Sequence, residues 1–413
     1  MKSDLDKLMK SDGIDAIWVT GSLQNNPDMV YFTGIHHVTQ AELIKKQGEE
    51  PVLFLYSSME KEEGEKSSLN TQLLDDRWPL DQLLEKSKGE LTAALAERMG
   101  KIFDELNLTG GRIAVTGNTQ VSRVTGILND LRKRLPNTEF HGYTQQSLID
   151  RASMTKDSEE VERIRKMGKI TVEVVSRTFN FLGSCKILSG NLVAPSGEKA
   201  TVSLVKSKIR LWLAELGADN PEETIFAIGR DAGFPHSAGT PDDILTAGKP
   251  IVFDIFPCEA GGGYFFDFTR TWCVGWVPDE VQELHEQVRQ VHHTLIDELE
   301  ANTPFKEYQS RTCELFSNLG HQTICDSYNL KEGYTHSVGH GLGLKVHEKP
   351  FSGIIAKEDD ILKKGVVFSI EPGLYYPSRH MGVRIEDTVY LNPDGVFEKL
   401  ADFPYDLIVP VKG

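Results

Sequence analysis

Two aspartates stand in apolar surroundings where the core of a protein would normally exclude a charge. Asp254 follows Ile-Val-Phe, and Asp267 lies between two phenylalanines, within the segment PIVFDIFPCEAGGGYFFDFTRTWCVG. A buried carboxylate is costly unless it is paired with a cation or bound to a metal ion. The run Gly261–Gly263 permits a tight turn, so the flanking strands could bring both aspartates to one place. Either aspartate alone would also suit a turn or a salt bridge.

Two further segments carry histidines and glutamates in comparable positions. HSVGHGLGLKVHEKP contains His336, His340 and His347 among glycines that allow a close approach to a ligand. A lone histidine is more often structural, but three within one glycine-rich run favour a functional site. In VVFSIEPGLYYPSRHMGVRIEDTVYL, Glu371 ends an apolar run and Glu386 has strand-like neighbours. Glutamate is almost never fully buried without a partner.

Taken together, these segments supply four carboxylates and an imidazole. Such a set suits two hard or borderline divalent metal ions. The segments offer no group of thiolates, which argues against a structural zinc site. We therefore predict a metal centre built from the three segments.

The elements that position these residues differ between the two halves of the chain. In the first half, the strand-like runs DAIWVT, PVLFLY and RIAVTG alternate with the helical patterns LTAALAERMGKIFDEL and VSRVTGILNDLRKRL. This alternation predicts an α/β domain over residues 1–152, with a boundary near Arg151. The first half contains no phosphate-binding glycine loop, and its functional signal is weak.

The second half, residues 153–413, is predicted to be α+β. A helix with capping residues around Asp157 opens it, and a loop is predicted over residues 183–198. Strand signals dominate from Glu223 onward, interrupted by the helical patterns PDEVQELHEQVRQVHHTLIDELE and FKEYQSRTCELFSNLG. The run VRIEDTVYL, the turn NPDG and the run VFEKL predict a hairpin.

Composition and charge exclude several classes of partner. The net charge is −16, from 45 Lys and Arg against 61 Asp and Glu, so we expect neither nucleic acid nor an anionic membrane as a partner. The first ten residues lack the apolar core of a signal peptide, and no stretch approaches the roughly 18 apolar residues of a membrane helix. The scattered cysteines predict reduced thiols in a cytoplasmic protein. They are Cys185, Cys258, Cys273, Cys313 and Cys325.

The three acid- and histidine-bearing segments, in this order, resemble the pita-bread metallopeptidases, specifically the Xaa-Pro peptidases of aminopeptidase P and prolidase type. The likeness covers residues 155–410. It extends more loosely to the creatinase-type N-terminal domain through NPDMVYFTG and PVLFLY. The resemblance implies a creatinase-like domain over residues 1–152 and a pita-bread catalytic domain over residues 153–413.

The resemblance assigns five metal ligands one at a time. Asp254 matches the aspartate that closes an apolar strand, and Asp267 matches the one before the TRT triplet. His340 matches the ligand histidine of the GHGLG run. Glu371 matches the glutamate of the EPG turn. Glu386 matches the last glutamate, within GVRIED.

The resemblance also assigns residues that contact the substrate. His236 in GFPHSAG, His336 and His347 match the family's pocket histidines, and Arg384 matches an arginine just before the last ligand. All four are expected to line the substrate pocket. Glu371 is expected to act as the acid/base that shuttles a proton. His236 and His347 are expected to contact the substrate carbonyl and the developing oxyanion.

The activity implied by the resemblance is hydrolysis of Xaa-Pro bonds by a hydroxide that bridges two divalent metal ions. Manganese is favoured, and cobalt, iron and zinc also suit the ligands. The substrate would be a peptide or dipeptide with proline after the scissile bond. A homodimer is expected, because the N-terminal domains of resembling proteins form dimer contacts and cover the neighbouring active site.

Two departures from the family pattern could change the entrance to the substrate pocket. The spacing between Asp254 and Asp267 is two residues longer than usual, which predicts a bulged or looped connection through Gly261–Gly263. Residues 183–198 resemble an added loop. Neither departure removes a ligand.

Two rival functions remain open at the level of the sequence. The first is a non-peptidase amidohydrolase on the same fold, acting on a small nitrogen compound. The second is a pita-bread binding module without catalysis, which the complete set of ligands and pocket histidines disfavours. The sequence does not separate a dipeptidase from an aminopeptidase, although the short span from Glu371 to Glu386 resembles compact microbial prolidases.

Overall fold

The computed structural model describes residues 4–411 of the chain. These residues form two compact units. The first unit runs up to Ser153 and includes Gly261–Gly263, and the second comprises the remaining residues from Met154 onward. Each unit contains an apolar core of its own.

The first unit combines helices with one mixed sheet. In chain order its elements are α1 (Leu5–Asp12), β1 (Ala16–Gly21), α2 (Pro27–Thr33), β2 (Ala41–Lys46), β3 (Val52–Leu55), α3 (Lys61–Glu65), β4 (Asn70–Leu73), α4 (Leu74–Arg77), α5 (Leu80–Lys86), α6 (Leu91–Glu105), β5 (Gly111–Thr116), α7 (Val121–Arg134), β6 (Thr138–His141) and α8 (Leu148–Ala152). The strand order is β4-β3-β2-β1-β5-β6, and every residue of β1 is buried. A strand covered on both faces needs apolar side chains throughout, which explains the continuous run DAIWVT. The α/β alternation predicted for this half is confirmed.

The second unit contains four helices among its described residues and several small sheets. In chain order its elements are α9 (Ser158–Ser184), β7 (Lys186–Leu188), β8 (Asn191–Val193), α10 (Val202–Glu215), β9 (Ala218–Asp219), β10 (Thr224–Ile228), β11 (Pro250–Ile255), β12 (Cys258–Glu259), β13 (Phe268–Val274), α11 (Asp279–Asp297), α12 (Lys306–Asn318), β14 (His340–Gly341), β15 (Glu348–Phe351), β16 (Val367–Ile370), β17 (Gly373–Tyr376), β18 (Met381–Arg384), β19 (Asp387–Leu391), β20 (Phe397–Lys399) and β21 (Ile408–Val409). The predicted hairpin is confirmed, because β19 and β20 pair antiparallel.

The long helix α9 begins where the sequence predicts a cap. The Asp157 side chain accepts hydrogen bonds from the backbone N–H groups of Glu159 and Glu160. In return, the Glu160 carboxylate accepts one from the N–H of Asp157 at 2.8 Å. This reciprocal pair satisfies donors that the first helical turn leaves without partners.

Two sheets of the second unit bring the acidic segments together. Their strand orders are β10-β11-β13-β21 and β15-β14-β16-β19-β20. In the first sheet, Asp254 on β11 lies opposite Ile225 on β10 and Thr269 on β13. Thr269 also forms an isolated bridge with Glu386, which lies between β18 and β19. The antiparallel register therefore places acids from distant parts of the chain side by side.

One local expectation is corrected by the structure. Residues 183–198 do not form a simple loop, because β7 and β8 pair as a short hairpin within them. The expected glycine turn is present, because Gly261–Gly263 lie between Cys258 and Phe265, which form an antiparallel bridge. Through this turn β11 and β13 pair antiparallel. The connection from Asp254 to Asp267 is looped, which is one of the two forms expected from its length.

The prediction that all five cysteines are free thiols is wrong for one pair. Cys313 on α12 and Cys325 in the following loop form a disulfide, with their Cα atoms 6.2 Å apart. Cys185, Cys258 and Cys273 are buried and form no disulfide. The chain folds back after α12, and spacing along the sequence alone does not reveal this approach.

None of the helices within residues 4–411 combines the length and apolar character that crossing a membrane would require.

Candidate metal centre

The five predicted ligands converge in the second unit. Asp254, Asp267, His340 and Glu371 line a cavity of about 270 Å³. Glu386 does not line the cavity. Its carboxylate, the Asp267 carboxylate and the His340 imidazole each offer one ligand atom, and these three atoms lie within 4.8 Å of one another. All five side chains are buried, with at most 7% of any residue exposed.

The imidazole of His340 is held with one nitrogen facing the carboxylates. Its Nδ1 lies 3.1 Å from the carbonyl oxygen of Gly341, and its backbone N–H donates to Ser369 Oγ at 3.2 Å. Its Nε2 lies 3.3 Å from Glu371 Oε1 and 3.7 Å from Asp267 Oδ2. Donation from Nδ1 to the carbonyl leaves a lone pair on Nε2, which is the arrangement of a histidine that binds a metal.

Burial keeps this imidazole neutral. It lowers the pKa of His340 to about 3, and the nearby His347 contributes in the same direction. A neutral imidazole is the form that binds a metal ion. At neutral pH the ring is therefore ready to act as a ligand.

The carboxylates lack the partners that their burial would require. Asp254 Oδ1, Asp267 Oδ1 and Glu386 Oε1 are buried without a hydrogen bond. Burial, followed by repulsion from neighbouring carboxylates, raises the pKa of Asp267 and of Glu371 well above their usual values. The same causes raise the pKa of Glu386 to about 8.

Bound cations would resolve this electrostatic conflict. Divalent ions would satisfy the unpaired oxygens and stabilise the ionised carboxylates. The donors are four carboxylates and one imidazole, which suit hard or borderline ions. The residues present therefore fit a divalent metal centre.

Arg384 lines the cavity and also forms several contacts with neighbouring residues of the protein. Its buried guanidinium forms an ion pair with Asp254. It also donates to the carbonyl oxygen of Pro235 at 3.0 Å and to the Tyr375 hydroxyl at 2.9 Å. These contacts fix both the arginine and one oxygen of Asp254, leaving the other oxygen unpaired.

The three predicted pocket histidines lie around the same cavity. His236 Nε2 and His336 Nε2 are 3.0 Å apart, and His336 Nδ1 lies 3.5 Å from Glu371 Oε2. The His347 ring packs against the His340 ring, with centroids 4.3 Å apart and an interplanar angle of 55°. Desolvation lowers the pKa of each of the three, so the rings are neutral at physiological pH. His236 and His347 are exposed, while His336 is half-buried.

Sequence reasoning misses two neutral side chains that hold the charged ones. Thr269 Oγ1 donates to Glu386 Oε2 at 2.8 Å, and the Tyr375 hydroxyl accepts from Arg384. The sequence could have indicated Thr269, because a polar residue is unusual in a buried strand such as β13. It could not have indicated Tyr375, because tyrosine is common in strands.

Curated relatives match part of this chain. A protein of Mycobacterium bovis named "probable dipeptidase PepE" is 29% identical over 262 residues, which are 63% of this chain and 62% of that one. An Xaa-Pro dipeptidase of Pyrococcus furiosus is 32% identical over 192 residues, or 46% of this chain and 51% of that one. The chain thus spans about three fifths or less of the length of these relatives.

A solved structure matches almost the whole fold. A dipeptidase from Pyrococcus horikoshii superposes with a TM-score of 0.74 at 23% identity, covering 98% of this chain and 99% of that one. An X-Pro aminopeptidase from Thermotoga maritima gives a TM-score of 0.73 at 22% identity, covering 99% of each chain. At this identity the likeness establishes the fold. The predicted fold class, a creatinase-like α/β domain followed by an α+β pita-bread domain, is confirmed.

Family models account for both halves of the chain. Residues 2–153 match the creatinase/prolidase N-terminal domain. Residues 162–393, more than half of the chain, match metallopeptidase family M24. Membership of this family implies divalent metal ions, and Asp267, His340 and Glu386 form a possible site for one. The chain belongs to metallopeptidase family M24.

Proposed function

We propose that this protein hydrolyses the peptide bond that precedes proline, in dipeptides or short peptides, with the help of divalent metal ions. The observation that carries the proposal is the buried group of four carboxylates and one neutral imidazole beside a cavity rimmed by histidines. The relatives named dipeptidase and Xaa-Pro dipeptidase support a dipeptide as substrate. They give no support to an amidohydrolase that acts on other nitrogen compounds.

Asp254, Asp267, His340, Glu371 and Glu386 are proposed to hold two divalent ions. Manganese is favoured, and cobalt, iron and zinc are also compatible with oxygen and imidazole donors. Such ions supply Lewis acidity toward the scissile carbonyl and lower the pKa of water toward neutrality.

Glu371 is proposed as the acid/base of the reaction. The nitrogen of an Xaa-Pro bond carries no hydrogen, so the departing proline nitrogen must receive a proton. Glu371 lines the cavity, and its raised pKa favours transient protonation of the carboxyl group. In this role it takes a proton from the attacking water and delivers it to the proline nitrogen. The nearby His336 helps to orient the carboxylate.

Exposed histidines at the rim are proposed to stabilise the substrate oxygen. His236 and His347 are neutral, so each ring can donate one N–H to the carbonyl oxygen as negative charge develops there. His336 Nδ1 faces the carbonyl oxygen of Ser337 at 2.8 Å, so His336 Nε2 accepts the hydrogen bond from His236 Nε2. Donation by His236 to the substrate oxygen therefore requires its ring to turn away from His336. Arg384 is proposed to contribute to the pocket wall and to hold Asp254 in place.

Hydrolysis assays with defined metal content test this proposal. Metal-stripped protein should be inactive on Leu-Pro, and manganese or cobalt should restore activity. Leu-Pro-Gly and Leu-Gly, measured in parallel, separate an aminopeptidase from a dipeptidase and test the requirement for proline. Glu371→Gln should remain folded but lose turnover. Full activity of stripped protein, with the metal content verified by elemental analysis, would contradict the metal-dependent mechanism.

The organisation of the chain completes the proposal. We propose a functional division into a domain over residues 1–152 without chemistry of its own and a catalytic domain over residues 153–413.

A homodimer is proposed, and a monomeric mass by light scattering with activity intact would refute it. The proposed location is the cytoplasm, which cell fractionation would check.

A further inference from the structure

One wall of the cavity is formed by residues that the proposed reaction does not use. These residues precede and begin β10, and they include Glu222, Glu223 and Ile225. Two of them carry a negative charge at the mouth of the cavity. The two glutamates differ in whether a cation of the protein balances their charge.

The charge of Glu223 is balanced by helix α10. Its carboxylate lies 3.2 Å from Lys206 Nζ and 3.5 Å from a guanidinium nitrogen of Arg210. The backbone at Glu223 has a φ of 68°, a left-handed conformation that is strained for a non-glycine residue. This conformation interrupts the alternation of side chains just before β10.

Glu222 is in the opposite situation. It is exposed, it lines the cavity, and within residues 4–411 its carboxylate has no ion pair. His236 and His347, the histidines proposed to contact the substrate oxygen, line the same cavity as Glu222. The Glu222 carboxylate is therefore close to the space that a bound substrate would occupy.

Apolar side chains lie in the same cavity wall. They are Ile225, Phe256 and Val346. A long cationic side chain packs its hydrocarbon stem on apolar surface and keeps its charged head beside an anion or water. Apolar side chains and an unpaired carboxylate in one cavity suit the hydrocarbon stem and the charged head of lysine or arginine.

We propose that Glu222 recognises a cationic side chain, lysine or arginine, on the residue that precedes proline in the substrate. The inference rests on the proposed Xaa-Pro hydrolysis and names the substrate class within it. Glu222 then acts as a specificity residue, and bond cleavage itself does not depend on it.

The test compares two substrates that differ by one charge. Lys-Pro and norleucine-Pro have side-chain stems of the same length, and only the first ends in an ammonium. The manganese-loaded protein should show a higher kcat/KM for Lys-Pro by about fivefold, the upper end for a partly exposed ion pair. Glu222→Gln should remove this preference while leaving norleucine-Pro within about twofold, because that substrate has no charge to lose.

The matched control changes the same charge away from the cavity. Glu198→Gln replaces an exposed glutamate that does not line the cavity, and it should retain the preference for Lys-Pro. Glu222→Lys should shift the preference toward Glu-Pro. A wild-type enzyme without preference, or an equal loss on both dipeptides in Glu222→Gln, overturns the inference. Failure of metal-loaded wild type to cleave norleucine-Pro at all would instead overturn the proposed function.

Discussion

Removal of the metal ions should leave the second unit with a stability that falls as pH rises. The cause is Glu386, whose pKa is raised from its usual 4.5 to about 8 by burial and by the neighbouring Asp254. The folded, metal-free protein therefore keeps this carboxyl protonated at pH values where the unfolded chain has ionised it. In that window the folded state binds more protons, so the free energy of unfolding decreases with pH.

The magnitude follows from the two pKa values. Each pH unit within the window costs about 1.4 kcal/mol for one proton, and the whole window from 4.5 to about 8 amounts to about 5 kcal/mol. Buried histidines with lowered pKa values, such as His340, act in the opposite direction below their usual value of 6.5. Between pH 6.5 and 8 the histidines no longer oppose the effect, and Glu386 contributes about 2 kcal/mol. The raised pKa values of Asp267 and Glu371 act in the same direction as that of Glu386.

Urea unfolding of metal-stripped protein checks this prediction. Trp272 is fully buried on β13, the strand that also carries Thr269, and its fluorescence reports on this unit. Glu386→Gln cannot ionise, so its stability should vary less with pH over the same range. Excess manganese should reverse the trend, because metal binding favours deprotonated ligands. The reasoning is refuted if stripped wild-type protein gains stability from pH 6.5 to 8, or if the variant shows the same slope.

Two substitution experiments address the histidines and a buried ion pair. His340→Ala should lose bound metal as well as turnover. His347→Ala should keep the metal measured by elemental analysis but lose about 2.7–4 kcal/mol of transition-state stabilisation, if it contacts the oxyanion; near-normal turnover would assign it a packing role. Lys156 Nζ lies 2.9 Å from Glu348 in a pair that is almost fully buried. Lys156→Met should lower the free energy of unfolding by about 3–5 kcal/mol, whereas Lys306→Met, which breaks an exposed pair, should change it by less than about 1 kcal/mol.

The sequence alone reveals which residues are unusual. Asp254 and Asp267 interrupt apolar runs, and their desolvation would be costly without partners, so their type and surroundings already indicate a metal or a cation. The capped start of α9 and the hairpin of β19 and β20 are equally readable, because caps and turns depend on residues close together in the chain. Local chemistry of this kind predicts the elements and the donor set.

Only the tertiary structure decides which of these residues meet. Asp254 and Glu386 are far apart in sequence, and they reach one place because Thr269 pairs with both in the register of the sheets. The ion pair of Arg384 with Asp254 likewise depends on that register. Pairing registers between distant strands follow from the packing of the whole unit, which no short segment encodes.

The difference between local sequence and tertiary contacts also explains why the sequence did not predict the disulfide or the role of Glu222. Cys313 and Cys325 are separated by twelve residues, and their approach depends on how the chain turns after α12. Glu222 and Glu223 are adjacent glutamates with the same chemistry in the sequence. The fold pairs one with α10 and leaves the other beside the cavity. Residue type determines what a side chain is able to do, but its function depends on the neighbours that folding supplies, and those neighbours come from distant parts of the chain.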